Sequence, residues 1–177
     1  MSKRILVISG SPRKGGNSDI LCDQFIKGAQ ESGNIVEKIY LKDKKIGFCT
    51  GCYGCGETHQ CVQKDDMTEI LEKMALADVV VLATPVYFYS MDAQMKVMID
   101  RTLPCYTQIT NKDFYFIATA ADSRELIQRT MDGLCGYTDC LPGAQVKKMI
   151  YGAEAVQKGD INNKPAMQEA YEAGRNV

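Results

Sequence analysis

The sequence contains no tryptophan, a single histidine and no surplus of charge: 21 Lys and Arg stand against 22 Asp and Glu over 177 residues. A formal net charge of −1 argues against nucleic-acid partners, which usually call for a basic face or stripe. No apolar run reaches the ~18 residues of a spanning helix, so no membrane partner is expected. The apolar stretch behind Met1-Ser2-Lys3-Arg4 runs only from Ile5 to Ile8, too short for a secretory hydrophobic region. These absences point to a soluble, cytoplasmic protein. At this length one domain spanning 1–177 is expected, burying roughly 70% of the unfolded chain's surface. Cysteine is what the chain has in excess, with eight residues. In a reducing compartment such a set suggests metal or redox chemistry rather than a disulfide framework.

Strand and helix signals alternate five times. Ile5–Ile8, Val79–Ala83 and Phe114–Thr119 are nearly pure apolar runs, as in strands covered on both faces. Ile35–Leu41 and Val146–Tyr151 carry Glu37-Lys38 and Lys147-Lys148, charges that suit sheet edges. Helices are expected from Asn17-Ser18 to near Gly33, after the acidic pair Asp65-Asp66, over 90–103, over 125–131 and over 166–173. Two edge strands and three central ones predict an α/β fold, a doubly wound five-stranded parallel sheet in the order 2-1-3-4-5 with helices on both faces. That is the flavodoxin-like, three-layer arrangement.

Between the first strand and first helix lies Gly10-Ser11-Pro12-Arg13-Lys14-Gly15-Gly16-Asn17-Ser18. A glycine-rich loop at the carboxyl end of a strand, opening a helix, is where an open α/β sheet binds phosphate. The spacing fits neither a P-loop, which needs Gly-Lys-Ser/Thr, nor the Gly-x-Gly-x-x-Gly dinucleotide fingerprint. An ordinary turn would not need so many short polar and basic donors. The loop resembles the phosphate loop of the NADPH-dependent FMN reductase family. That resemblance implies FMN as cofactor, with Ser9, Ser11, Pro12, Arg13, Asn17 and Ser18 as binding positions and the 5′-phosphate on Ser11, Arg13, Asn17 and Ser18.

The segment after the third strand, Thr84-Pro85-Val86-Tyr87-Phe88-Tyr89-Ser90, offers three consecutive aromatics, which could also simply cover the end of the sheet; Ser90 can cap the helix that follows. Pro-Val-Tyr-Phe followed by a helix closing on Asp100-Arg101 is similar to the same family, which implies the flavin ring against Pro85, Val86, Tyr87 and Phe88. A third contact is expected after the fourth strand, at Ala120 and Asp122, although alanines stand where family members often carry glycine. Met91, Met95 and Met98, at helical spacing, are expected in the core or a subunit interface.

A cysteine-rich loop over 46–64 follows the second strand. Cys49, Cys52, Cys55 and Cys61 are spaced Cys-x2-Cys-x2-Cys-x5-Cys among four glycines, and closely spaced thiolates on such a loop can converge on one metal centre. Four sulfurs suit tetrahedral zinc or an iron–sulfur cluster, and free redox-active thiols are the third alternative. His59 reads as a solvated loop residue. The spacing, with the continuation through Asp65-Asp66-Met67, closely resembles the iron–sulfur flavoproteins of the same family, and implies a 4Fe-4S cluster near the flavin of a neighbouring subunit in a homodimer or homotetramer. The family implies an oxidoreductase in which NAD(P)H donates transiently to the flavin and a small-molecule or protein acceptor takes the electrons, with no catalytic side chain required. The competing readings are a non-enzymatic carrier between ferredoxin and a partner, and a cysteine-based redox sensor.

Overall fold

A computed structural model describes residues 2–177. In chain order the elements are β1 (Arg4–Ser9), α1 (Asn17–Glu31), β2 (Ile35–Tyr40), α2 (Cys55–Thr58), α3 (Met67–Leu76), β3 (Val79–Tyr87), β4 (Ser90–Met91), α4 (Ala93–Asp100), β5 (Asp113–Thr119), α5 (Arg124–Thr138), β6 (Gln145–Gly152) and α6 (Ala166–Arg175). Five strands pair in parallel in the order β2-β1-β3-β5-β6, which is the expected 2-1-3-4-5 arrangement. The numbering differs because β3 runs past its apolar stretch to Tyr87 and is met by the two-residue antiparallel β4.

The three strands read as central are almost wholly buried, whereas β2 and β6 alternate between covered and exposed residues. On one face, Leu21, Phe25 and Ala29 of α1 and Ala166, Ala170 and Ala173 of α6 pack on the sheet. On the other, Met67, Ile70 and Met74 of α3, Met95 and Met98 of α4, and Ile127, Met131 and Leu134 of α5 do the same. Helices α1 and α6 meet backbone to backbone. A Cβ on Gly174 would fall 2.0 Å from the Phe25 carbonyl oxygen, and one on Gly28 would fall 2.1 Å from that of Tyr171.

Two helix starts differ from expectation, each for a local reason. The helix expected over 90–103 begins only at Ala93, because Ser90 and Met91 pair with Tyr87 and Val86. Its cap is therefore Asp92, whose Oδ1 accepts from the Met95 N–H at 2.8 Å, and not Ser90. Helix α1 carries no side-chain cap: Gly16 occupies the N-cap position and Asn17 turns its amide elsewhere. Asp65 behaves as read, accepting from the Met67 N–H at the start of α3 (3.1 Å). Helix α5 contains the expected 125–131 as a part and runs to Thr138, because Leu134 and Tyr137 continue its buried face. No helix among the described residues is long and apolar enough to cross a membrane.

Candidate functional site

Parallel strands bring their carboxyl ends to one edge, and the loops there enclose a cleft of about 260 Å³. The loop after β1 contributes Ser11, Arg13, Asn17 and Ser18; the end of β3 contributes Pro85, Val86 and Tyr87; the loop after β5 contributes Thr119, Ala120 and Ala121. A fourth wall, Ala155 and Val156, comes from the segment after β6. Sequence reasoning missed it: neither residue carries chemistry, and only the adjacency of β6 to β5 puts them there. The two segments are stitched together by hydrogen bonds from Ala120 N–H to the Gly152 carbonyl (3.0 Å) and from Ala155 N–H to the Ala120 carbonyl (2.9 Å).

The first loop is shaped by its own side chains. The Ser11 hydroxyl donates to the Arg13 carbonyl (2.9 Å) and accepts from the Arg13 N–H (3.2 Å), curling the backbone over itself. Gly15 sits at φ +66°, in the left-handed region, and its N–H donates to Asp19 Oδ2 at 2.7 Å. Asp19 is buried and pairs with Lys38 Nζ of β2 at 2.5 Å. Asn17 is fully engaged: Nδ2 donates to the carbonyls of Ala155 (3.1 Å) and Gln157 (2.9 Å), and Oδ1 accepts from the Gly159 N–H (2.9 Å). Its side chain thus ties the loop after β6 to the start of α1. The first turn of α1 has no side-chain cap, and its Asn17 and Ser18 line the cleft, a setting that favours an anion.

Of the expected binding positions, Ser9, Pro12, Phe88 and Asp122 do not line the cleft. Ser9 is buried beneath it with its hydroxyl unpartnered. Pro12 is exposed. Asp122 turns its carboxylate back to accept from the Ser123 N–H (2.8 Å). Phe88 is fully exposed: it and Tyr89 form the two-residue turn between β3 and β4, with φ of +50° and +63°. Asp92 joins two walls. Its N–H donates to the Thr84 hydroxyl (2.9 Å), its free Oδ2 lies against Gly10, and burial pushes its carboxyl up to about 6.

The cysteine loop forms a second feature. Cys49, Cys52, Cys55 and Cys61 line one small cavity of about 100 Å³, walled also by Arg101, Leu103 and Pro104. Cys49 and Cys52 are exposed and the other two are half-buried. The Cys52 thiol is held below its ordinary value by hydrogen bonds, first to the backbone of Gly54 and then to the Thr50 hydroxyl. Among the described residues, no three His, Cys, Asp or Glu side chains converge on a single ion. His59 ends α2 at φ +54° and lies outside this cavity. The other cysteines are dispersed: Cys22 and Cys105 are buried, Cys135 is half-buried and Cys140 is exposed.

The sequence profile of a family described as NADPH-dependent FMN reductase matches residues 3–134. An iron–sulfur flavoprotein of Methanocaldococcus jannaschii is 34% identical over 168 residues, covering 90% of this chain and 87% of the relative. An iron–sulfur flavoprotein of Archaeoglobus fulgidus is 45% identical over 108 residues, 61% of this chain and 49% of the relative. The chain thus spans about half the length of several relatives it matches. An NAD(P)H:quinone oxidoreductase from Methanothermobacter marburgensis shares the fold, with a TM-score of 0.77 at 16% identity over 99% of this chain and 96% of that one. With three quarters of its length under the profile and a relative 34% identical over 90% of it, the chain belongs to the NADPH-dependent FMN reductase family, on the branch of the iron–sulfur flavoproteins.

Proposed function

We propose that the chain is an FMN-dependent oxidoreductase that takes electrons from NAD(P)H and passes them to a small-molecule or protein acceptor. The observation that carries this reading is the cleft, where an uncapped helix N-terminus beside Arg13 and Ser11 adjoins an apolar wall of Pro85, Val86 and Tyr87. One half suits a phosphate and the other a flat ring. Bound there, FMN would supply hydride and single-electron transfer. The chain's own part is to bind and orient. The α1 amides and Arg13 hold the phosphate, on a loop whose curl the Ser11 hydroxyl maintains; the side chain of Asn17 fixes the fourth wall and leaves its N–H for the anion. Ser9 and Asp92 support the floor from beneath, and Ala120 extends the wall beside Pro85, whose strand partner is Thr119.

We further infer that Cys49, Cys52, Cys55 and Cys61 hold a 4Fe-4S cluster. All four thiols line one cavity, the arrangement a cluster held by four thiolates requires. The exposure of Cys49 and Cys52 favours a second reading, in which the protein carries electrons between a ferredoxin-like partner and another protein without being an enzyme. Exposed Phe48, Tyr53 and Phe88 support a homodimer or homotetramer as the working unit, in the cytoplasm. The test is spectroscopic, on protein purified without oxygen. FMN titration should give one flavin per chain with a band near 450 nm, and iron and acid-labile sulfide should accompany it. Rapid bleaching by NADH or NADPH supports the enzyme; bleaching only by reduced ferredoxin or dithionite supports the carrier. Failure to take up FMN rejects both.

A further inference from the structure

Arg101 follows the last turn of α4, far in sequence from the cysteine loop, yet it is buried to 2% exposure against that loop's base. Its guanidinium reaches both stems. On the incoming stem, Nη1 donates to the Gly47 carbonyl at 2.6 Å. On the outgoing stem it donates to Gln63 Oε1 at 3.3 Å, and the fork closes on Asp65 through Nη1–Oδ2 (2.7 Å) and Nη2–Oδ1 (3.0 Å). Asp65 completes the tie by accepting from the Gly47 N–H at 3.0 Å. Positions 47 and 63–65 are therefore cross-linked by one side chain, and only 48–62 between them is left to its own contacts. Arg101 has one more donor. Its Nε is buried without a partner, and the same residue forms part of the wall of the cavity lined by the four cysteines. An orphaned charged donor in that position implies an acceptor or an anion on the other side.

We propose that Arg101 is the positioning residue of the cysteine pocket: it holds the two ends of the loop together before anything is bound, and it presents a fixed positive N–H to the sulfur-bearing occupant. The second half rests on the reading of that occupant as a cluster on four thiolates, which is anionic. A cation and an N–H donor fixed at its wall stabilise the more negative, reduced form, since hydrogen bonds to sulfur and local charge both set a cluster's potential. Asp65 keeps Arg101 from swinging into the cavity, and the bidentate geometry is one a lysine cannot reproduce.

Two variants test this, Arg101→Lys, which keeps the charge without the fork, and Arg101→Gln, which removes the charge. In iron-free protein, hydrogen exchange of amides 48–62 is expected to quicken about tenfold in both, the scale of one lost charge-assisted hydrogen bond, with the central strands unchanged. In protein reconstituted with iron and sulfide, Arg101→Gln is expected to show a lower cluster reduction potential than Arg101→Lys, by spectroelectrochemistry. FMN titration should be the same in all forms, because Arg101 is outside the flavin cleft. Wild-type exchange in both variants, or loosening spread over the whole sheet, would overturn the positioning role; equal potentials in the two variants would overturn the charge role. If wild-type protein takes up no iron, the cluster reading fails while the iron-free exchange still decides whether Arg101 closes the loop.

Discussion

Asp92 carries an uncompensated charge. One carboxylate oxygen caps α4 and the other is buried against Gly10 with no partner, so the protonated form is favoured in the fold. Its carboxyl stands at about 6 against 3.8 for an ordinary aspartate, so its contribution to stability is complete below about pH 3.8 and lost as pH rises through 6. Asp92→Asn keeps a capping oxygen and removes the charge. It should gain about 2 kcal/mol at pH 8 and little at pH 4, read from thermal melts at the two pH values. Cys22 gives the opposite sort of expectation. Burial among apolar neighbours pushes its thiol up to about 12, so it stays neutral. Iodoacetamide on the native protein at pH 7.5 should label exposed Cys140 and leave Cys22 untouched, as mass spectrometry would show.

Among the elements, the turn between β3 and β4 places two aromatic residues where both φ angles are positive, a pattern normally given to Asn-Gly. Replacing Phe88 by Asn and Tyr89 by Gly should stabilise the fold by about 1–2 kcal/mol, measured by urea denaturation. The contact of α1 with α6 responds the other way. Gly174→Ala forces a methyl against the Phe25 carbonyl, and a loss of about 3 kcal/mol is expected with an unchanged urea slope. Gly136→Ala on the exposed face of α5 meets nothing within 4 Å and should gain about 0.5–1 kcal/mol instead. The same two regions show what the sequence could and could not say. Apolar runs located the three central strands, because burial on both faces leaves so little choice of residue, and the charges of Glu37-Lys38 and Lys147-Lys148 marked β2 and β6 as the edges. The start of α4 was misplaced because Ser90 satisfies the capping rule as well as Asp92 does. Only the pairing of Ser90 with Tyr87 decides between them.

For the whole molecule, the fold was legible from strand polarity alone, and the cysteine spacing marked its loop without help. One of the four walls of the cleft was not legible. Ala155 and Val156 enter it only because β6 lies beside β5, and the side chain of Asn17, read as a phosphate contact, instead holds that distant segment in place. Ligand binding should report on this assembly as a unit. Under the proposed function, FMN at 100 times its dissociation constant should raise the stability of the apoprotein by about 2.7 kcal/mol, visible as a concentration-dependent melting temperature. The link from Asn17 to residues 155–159 also bears on how the protein is made. During vectorial synthesis the first helix leaves the ribosome with its opening loop unbraced, and neither the fourth wall nor α6 exists until residues 155–175 have been translated. Under the proposed function, cofactor capture waits for that segment, so a nascent chain stalled before residue 155 should emerge without flavin.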